Sequence, residues 1–321
     1  MRLVLFIIFI ATLAGSCHTA AQFPTAIRFA DNTVILLADS AYAAAGIAIP
    51  DEYTAALRPF DLQIRLNKES GGTVNDYLNV AATQVRNWPV DEQEKIKQAF
   101  SDIGNFLKAQ NLHLSLPDTI VMIKTAGAEE FGAEGYTRRN KIMLCTNAQQ
   151  PLNTHLVAHE LFHVFSRYNK AKRDAVYAVF GFVPCNRINT AAAMQQRVIT
   201  NPDCPFTEHY LPLAYNGQNK EMVLQLYSKK TFHPGLGLFD YVNIGLLEIE
   251  GAANNKKPIF SNGAGIVHEI EDVPDFLNKT GTNTSYVLHP EEVSAEHFSL
   301  WAIGETVSQP DFFAKMKQAL R

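Results

Sequence analysis

Two histidines four residues apart, with a glutamate directly after the first, are the side chains of this sequence best spaced for chemistry: His159-Glu160-Leu161-Phe162-His163. On a helix, positions four apart lie one above the other, so the two imidazoles can hold one tetrahedral metal ion between them. Glu160 falls about 100° further round, off the metal but close to where a water would need a base. The chemistry such spacing serves is metal-assisted hydrolysis. The flanking residues supply the helix. Asn153 or Thr154 can cap it, and Leu156, Val157, Leu161, Phe162, Val164 and Phe165 make it apolar over most of its circumference. Burying His, Glu and His on such a helix demands partners that satisfy them, and a core helix with hydrogen-bonded histidines is the plainer alternative.

Two ligands leave a catalytic zinc site one short, since such sites take three protein ligands and keep a fourth position open. A third lies in the stretch His289-Pro290-Glu291-Glu292-Val293-Ser294-Ala295-Glu296-His297-Phe298. Pro290 suits the first position of a helix, which puts Glu292 and Glu296 one turn apart on the same face. Carboxylates stacked this way repel unless a cation or an imidazole proton lies between them. Glu292, Glu291, His289 and His297 are the candidates there. His155, one turn before His159, faces the same side and could stand behind the ligands. His113, His209, His233 and His268 have no ligand-like spacing and read as surface or loop residues.

The elements that must position these groups follow from patterning. Residues 91–110 offer Asp91 as N-cap, Glu92 and Glu94 in the first turn, and Ile96, Phe100, Ile103, Phe106 and Leu107 at helical spacing, predicting a core-facing amphipathic helix. Residues 60–66 alternate and read as a short strand, Gly71-Gly72 marks a loop, and 76–85 reads as a further helix. Residues 119–124 form a β-branched strand, 127–135 a loop and 136–145 a second strand. A helix over 172–180 is stopped by Gly181. Later strands are expected at 223–227 and 241–249, among loops rich in Gly, Pro and Asn. The fold class expected is α+β, a small sheet packed on the active-site helix with additional helices and a long insertion. Residues 22–321 then make one unit: a helical N-terminal part at 22–117, catalytic parts at 118–183 and 284–321, and an insertion at 184–283 walling one side of a cleft.

Composition narrows the function classes. The 321 residues are 47% hydrophobic and 19% charged, enough for a sizeable core. A net charge of −4, with no basic block interleaved with aromatics, excludes nucleic acid as a partner. Residues 1–21 read as a signal peptide, with Arg2 followed by an apolar run and then small residues, too short to span a bilayer. Within it, Ala14-Gly15-Ser16-Cys17 resembles a bacterial lipoprotein processing site, although Leu is preferred where Ala14 stands. Cys17 would then carry the lipid, and plain secretion with cleavage near Ala20 or Ala21 is the competing reading. Either implies export, to the bacterial cell envelope or to the periplasm or medium, with membrane contact only through an anchor on Cys17. Cys185 and Cys204 could pair, Cys145 reads as a buried thiol, and the chain has no C-x-x-C spacing.

The histidine motif and the downstream glutamates together resemble the gluzincin metallopeptidases, the thermolysin-like group of zincins. There a glutamate on a later helix is the third ligand, and an acidic group four residues on orients a zinc histidine. The resemblance implies Zn2+ held by His159, His163 and Glu292, Glu296 on the outer nitrogen of His159, and Glu160 as general base. It also implies a sheet against the active-site helix whose edge strand, here 136–145, pairs with an extended substrate. Tyr210 or Tyr241 would donate to the oxyanion. His163 and Glu292 stand further apart in the chain than is typical, but closing a longer loop costs only about 0.6 kcal/mol per doubling of length. The phrases GYTRRNKIML, AHELFHVFSR, ITNPDCP and HPEEVSAEHF also resemble a family of uncharacterised bacterial exported proteins of zinc-peptidase type. The function expected is an exported zinc metallopeptidase acting on a peptide or protein. The alternatives are a cell-surface binding or scaffold protein keeping a zincin fold without turnover, and a zinc hydrolase of a non-peptide amide.

Overall fold

Six strands form the sheet on which the histidine helix lies: β1 (Thr25–Phe29), β2 (Thr33–Leu37), β3 (Val85–Arg86), β4 (Thr119–Thr125), β5 (Gly135–Arg138) and β6 (Lys141–Leu144). The computed structural model describes residues 25–30 and 32–321, so the expected leader at 1–21, Cys17 included, lies outside the described residues. The strand order is β1-β2-β4-β6-β5, with β3 paired to the end of β4. β2, β4 and β6 run parallel, while β1 and β5 lie antiparallel at the two ends of that order. Period-two alternation explains the layering. Ile120 and Met122 of β4 join one core cluster, Val121 and Ile123 the other, because helices cover both faces.

The helices are α1 (Ser40–Ile47), α2 (Glu52–Ala56), α3 (Pro59–Leu66), α4 (Val74–Gln84), α5 (Val90–Gln110), α6 (Thr154–Tyr168), α7 (Lys170–Val179), α8 (Leu238–Tyr241), α9 (Asp275–Thr280), α10 (Pro290–Ala302) and α11 (Asp311–Leu320). Residues of α1 and α4 cover one face of the sheet, and α5 and α6 the other. The N-cap Asn153 accepts from the Leu156 N–H at 2.9 Å and starts α6. Leu161, Phe162, Val164 and Phe165 of α6 are fully buried, each contributing roughly 1.5–3 kcal/mol. α10 packs along α6, with the Phe162 and Phe298 rings 5.6 Å apart, and Phe106 of α5 meets Trp301 edge-on at 4.9 Å. This apolar seam sets the two polar faces of α6 and α10 toward each other.

The second sheet is a meander, β7 (Val183–Pro184), β8 (His209–Tyr215), β9 (Gln218–Tyr227), β10 (Asn243–Glu250) and β11 (Lys257–Pro258). Asn216 and Gly217 take φ of 49° and 73°, the left-handed pair that a two-residue hairpin between β8 and β9 needs. The fold is therefore α+β, as the patterning predicts, but several elements differ. Residues 25–37, taken with a helical N-terminal part, are the strands β1 and β2 of the main sheet. Residues 60–66, read as a strand, are helix α3. Their alternation arises because Phe60 and Ile64 face one cluster while Leu62 and Leu66 face another, each pair one turn apart. Residues 136–145 are not one strand but the hairpin β5–β6, reversed at Arg139 with φ 55°. α5 begins at Val90 after Pro89, leaving Asp91 inside the first turn instead of at the cap.

Arg138, at the end of β5, ties this edge to the N-terminal helices. Its guanidinium donates to Asp51 at 2.7 Å and to the Ile47 and Ile49 carbonyls at 3.1 Å, with side chains only 2% and 3% exposed for the ion pair. Removing one partner of a buried pair strands the other charge. Arg138→Met is expected to destabilise the fold by about 3–5 kcal/mol in urea unfolding, and a loss below 1 kcal/mol would refute the anchoring role.

Candidate metal centre

α6 and α10 bring together residues far apart in the chain. His159 Nε2 lies 3.1 Å from Glu292 Oε2, and His163 Nε2 lies 3.6 Å from the same oxygen. The opposite ring nitrogens each face a carboxylate: His159 Nδ1 meets Glu296 at 3.2 Å and His163 Nδ1 meets Glu291 at 2.8 Å. Carboxylates at both Nδ1 positions keep the proton there and aim both Nε2 lone pairs inward. Glu292 is itself held by Asn201, which donates to Oε1 at 2.6 Å. Glu291 also accepts from Ser166 at 2.5 Å and from the Tyr177 hydroxyl. Behind Glu296 stands His155, 3.4 Å away and in contact with Ser299.

Glu160 is held from the sheet side, by β5. Its Oε2 accepts from Thr137 Oγ1 of β5 at 2.7 Å, and a Cβ placed on Gly135 would come within 2.6 Å of its Oε1. Only glycine lets the edge strand approach the carboxylate so closely. Burial foremost, and the Asp203 carboxylate next, push Glu160 up to about 7. Burial also pushes the Glu292 carboxyl up, but His163 and His159 outweigh it and hold it down at about 2. Asp203, in contrast, is raised well above the carboxylate range by burial and by Glu292.

The rival ligands turn out to have other partners. Glu291 faces the outer nitrogen of His163, not its inner one. His289 caps α10, accepting from the Glu291 N–H at 3.1 Å, and also meets the Phe206 carbonyl. His297 donates to the Val293 carbonyl at 2.7 Å and packs on Phe180. Tyr241 bonds to the His233 backbone and packs on Phe60, and Tyr210 lies against Lys256, so neither is brought to the histidines. The tyrosine beside them is Tyr286, its ring 6.0 Å from that of His159. His209, expected at the surface or in a loop, is buried against Asp174. Cys185 and Cys204 are free thiols, not a pair, and Cys145 is buried.

Sequence patterning missed Asp203. Its Oδ1 lies 4.0 Å from His163 Nε2, and His163, Asp203 and Glu292 form one of two groups able to hold a cation among the described residues; His159, Glu160 and His163 form the other. Asp203 sits in the loop phrase ITNPDCP, where no helical or strand period points to it.

A metal ion fits this donor set. His163 Nε2 is fully buried and has no hydrogen-bond partner among the described residues, a costly arrangement for a polar atom unless a ligand completes it. Two imidazole nitrogens and a carboxylate oxygen converging on one point are donors suited to a borderline-soft divalent ion.

The profile of the eCIS core domain matches residues 123–171, from β4 through the β5–β6 hairpin and α6 into α7. That domain is zincin-like and metallopeptidase-like in character. The match takes in His159, Glu160 and His163 but ends well before α10, so Glu291, Glu292 and Glu296 lie outside it. No curated protein and no solved structure matches the chain.

Glu291→Gln removes the anionic acceptor behind His163 while leaving the inward-facing donors in place. Metal affinity should fall about 10–100-fold in a chelator competition titration, the usual effect of losing such a partner. Unchanged affinity would mean that Glu291 does not orient His163.

Proposed function

We propose that this chain is an exported zinc metallopeptidase of gluzincin arrangement, hydrolysing peptide bonds in a peptide or protein substrate. What carries the reading is the convergence of His159 Nε2, His163 Nε2 and Glu292 Oε2, each held from behind by its own polar partner. The match of residues 123–171, which takes in His159, Glu160 and His163, to a zincin-like domain is in keeping with it. Zinc held by His159, His163 and Glu292 would supply Lewis acidity toward a carbonyl oxygen and lower the pKa of water.

The protein groups then have separable tasks. Glu160, off the ligand set and fixed by Thr137, takes the proton of the attacking water and delivers it to the leaving amine. Beside the histidines and hydrogen-bonded to Thr137, the carboxyl is placed for both directions of that transfer. Tyr286, its ring beside that of His159, can donate its phenol hydrogen bond to a developing oxyanion. The edge strand β5 offers the backbone along which an extended peptide can align.

Glu160→Gln should retain about one zinc per chain yet lose hydrolysis of a mixed peptide library by more than the ~10²–10⁴ of general acid–base help alone. Products are read by mass spectrometry and zinc by elemental analysis; zinc loss, or undiminished cleavage, would sink the assignment. Export rests on the leader sequence, with Cys17 as the lipidated residue. Cys17→Ala is expected to shift the protein from a membrane to a soluble fraction and abolish acyl labelling. A mature wild-type chain beginning near Gln22 would exclude the anchor.

A further inference from the structure

Residues 201–205, Asn-Pro-Asp-Cys-Pro, cross the site from the insertion and make contacts that a substrate would need. β5 pairs with β6 on one side only, and the Thr137 N–H on it donates instead to Asp203 Oδ1 at 2.5 Å. Arg167, one turn after His163 on α6, clamps strap and strand together. Its guanidinium donates to the Asp203 carbonyl at 2.9 Å and the Pro202 carbonyl at 3.4 Å on one side, and to the Arg139 and Thr137 carbonyls at 3.3 and 3.5 Å on the other. Asp203 Oδ1 also faces His163 Nε2, and Cys204 Sγ comes within 3.8 Å of Glu292. Cavities of about 540 and 160 Å³ reach the strap; both touch Cys204 and His289, and neither touches His159, Glu160 or His163.

We propose that residues 202–205 are an intramolecular latch, in which Asp203 is a displaceable fourth donor to the zinc site and also occupies the edge-strand N–H where a substrate carbonyl would dock. This rests on the zinc reading above and adds its regulation. A carboxylate in that place satisfies the strand's unpaired donor and closes the position that a catalytic metal keeps open. Being part of the same chain, it competes at high effective concentration. Pro202 and Pro205 bracket Asp203 and Cys204, and their fixed φ lowers the entropy lost on holding the strap in place. None of the strap's bonds to β5 is a β-ladder pair, so an extended peptide that forms ladder pairs with Gly135 and Thr137 has more to gain there than the strap does. The closed chain is thus a resting state that substrate or a partner must open.

The test uses the full-length chain loaded with cobalt(II), whose visible spectrum reports its coordination, and acetohydroxamate as a small chelating probe. Asp203→Ala should change the spectrum by removing a donor and bind the probe about tenfold or more tightly than wild type, because no internal group competes. Arg167→Met keeps every donor to the metal and frees the strap, along with the Arg167 bonds to the Thr137 and Arg139 carbonyls and to Glu52. It should leave the probe-free spectrum close to wild type and yet tighten probe binding in the same direction, and it serves if Asp203→Ala does not fold. Equal probe affinity in wild type and both variants, with cobalt bound in all, overturns the latch and leaves the zinc reading standing. Failure of folded wild type to take up cobalt overturns the zinc reading and the latch with it.

Discussion

Placing two imidazoles and several carboxylates in a water-poor seam between α6 and α10 is the constraint on which the rest of the structure depends. Each such group loses its hydration and must find a replacement. The chain provides one carboxylate for each outer ring nitrogen, Glu296 for His159 and Glu291 for His163, and an amide, Asn201, for Glu292. The aromatic seam of Phe162, Phe298 and Phe106 holds the two helices at the spacing these bonds require. At the point where the imidazoles and Glu292 converge, the inward nitrogen of His163 has no hydrogen-bond partner among the described residues.

The same economy of partners explains why neighbouring glutamates on α10 do different things. Glu291 and Glu292 are adjacent in sequence and therefore about 100° apart around the helix. One reaches past the ring of His163 to its outer nitrogen, and the other meets the inner nitrogens of both histidines. Glu296, one turn after Glu292, returns to the outer side of His159. Three carboxylates on one helix thus divide into an inner position and two outer ones.

Much of this was legible in the sequence, where helical spacing governs. The cap at Asn153, the first helical position at Pro290 and the four-residue steps His159 to His163 and Glu292 to Glu296 follow from helix geometry alone. Legibility fails where spacing carries two meanings or none. The alternation of Phe60, Leu62, Ile64 and Leu66 is that of a strand, but Pro59 at the first helical position and two separate clusters make it a helix. Asp203 lies in a loop with no period, and only tertiary docking through Thr137 and Arg167 brings it to His163. Tyr286 is likewise placed by the approach to α10 and not by any spacing from the histidines.

The wide separation of α6 from α10 has a temporal meaning. A ribosome delivers the helix bearing Glu291, Glu292 and Glu296 only after the second sheet has been made. Until that helix docks, His159 and His163 lack the inner carboxylate and both outer ones, and Glu160 has no completed site beside it. A centre assembled from such distant parts stays incomplete until folding has brought α6 and α10 together.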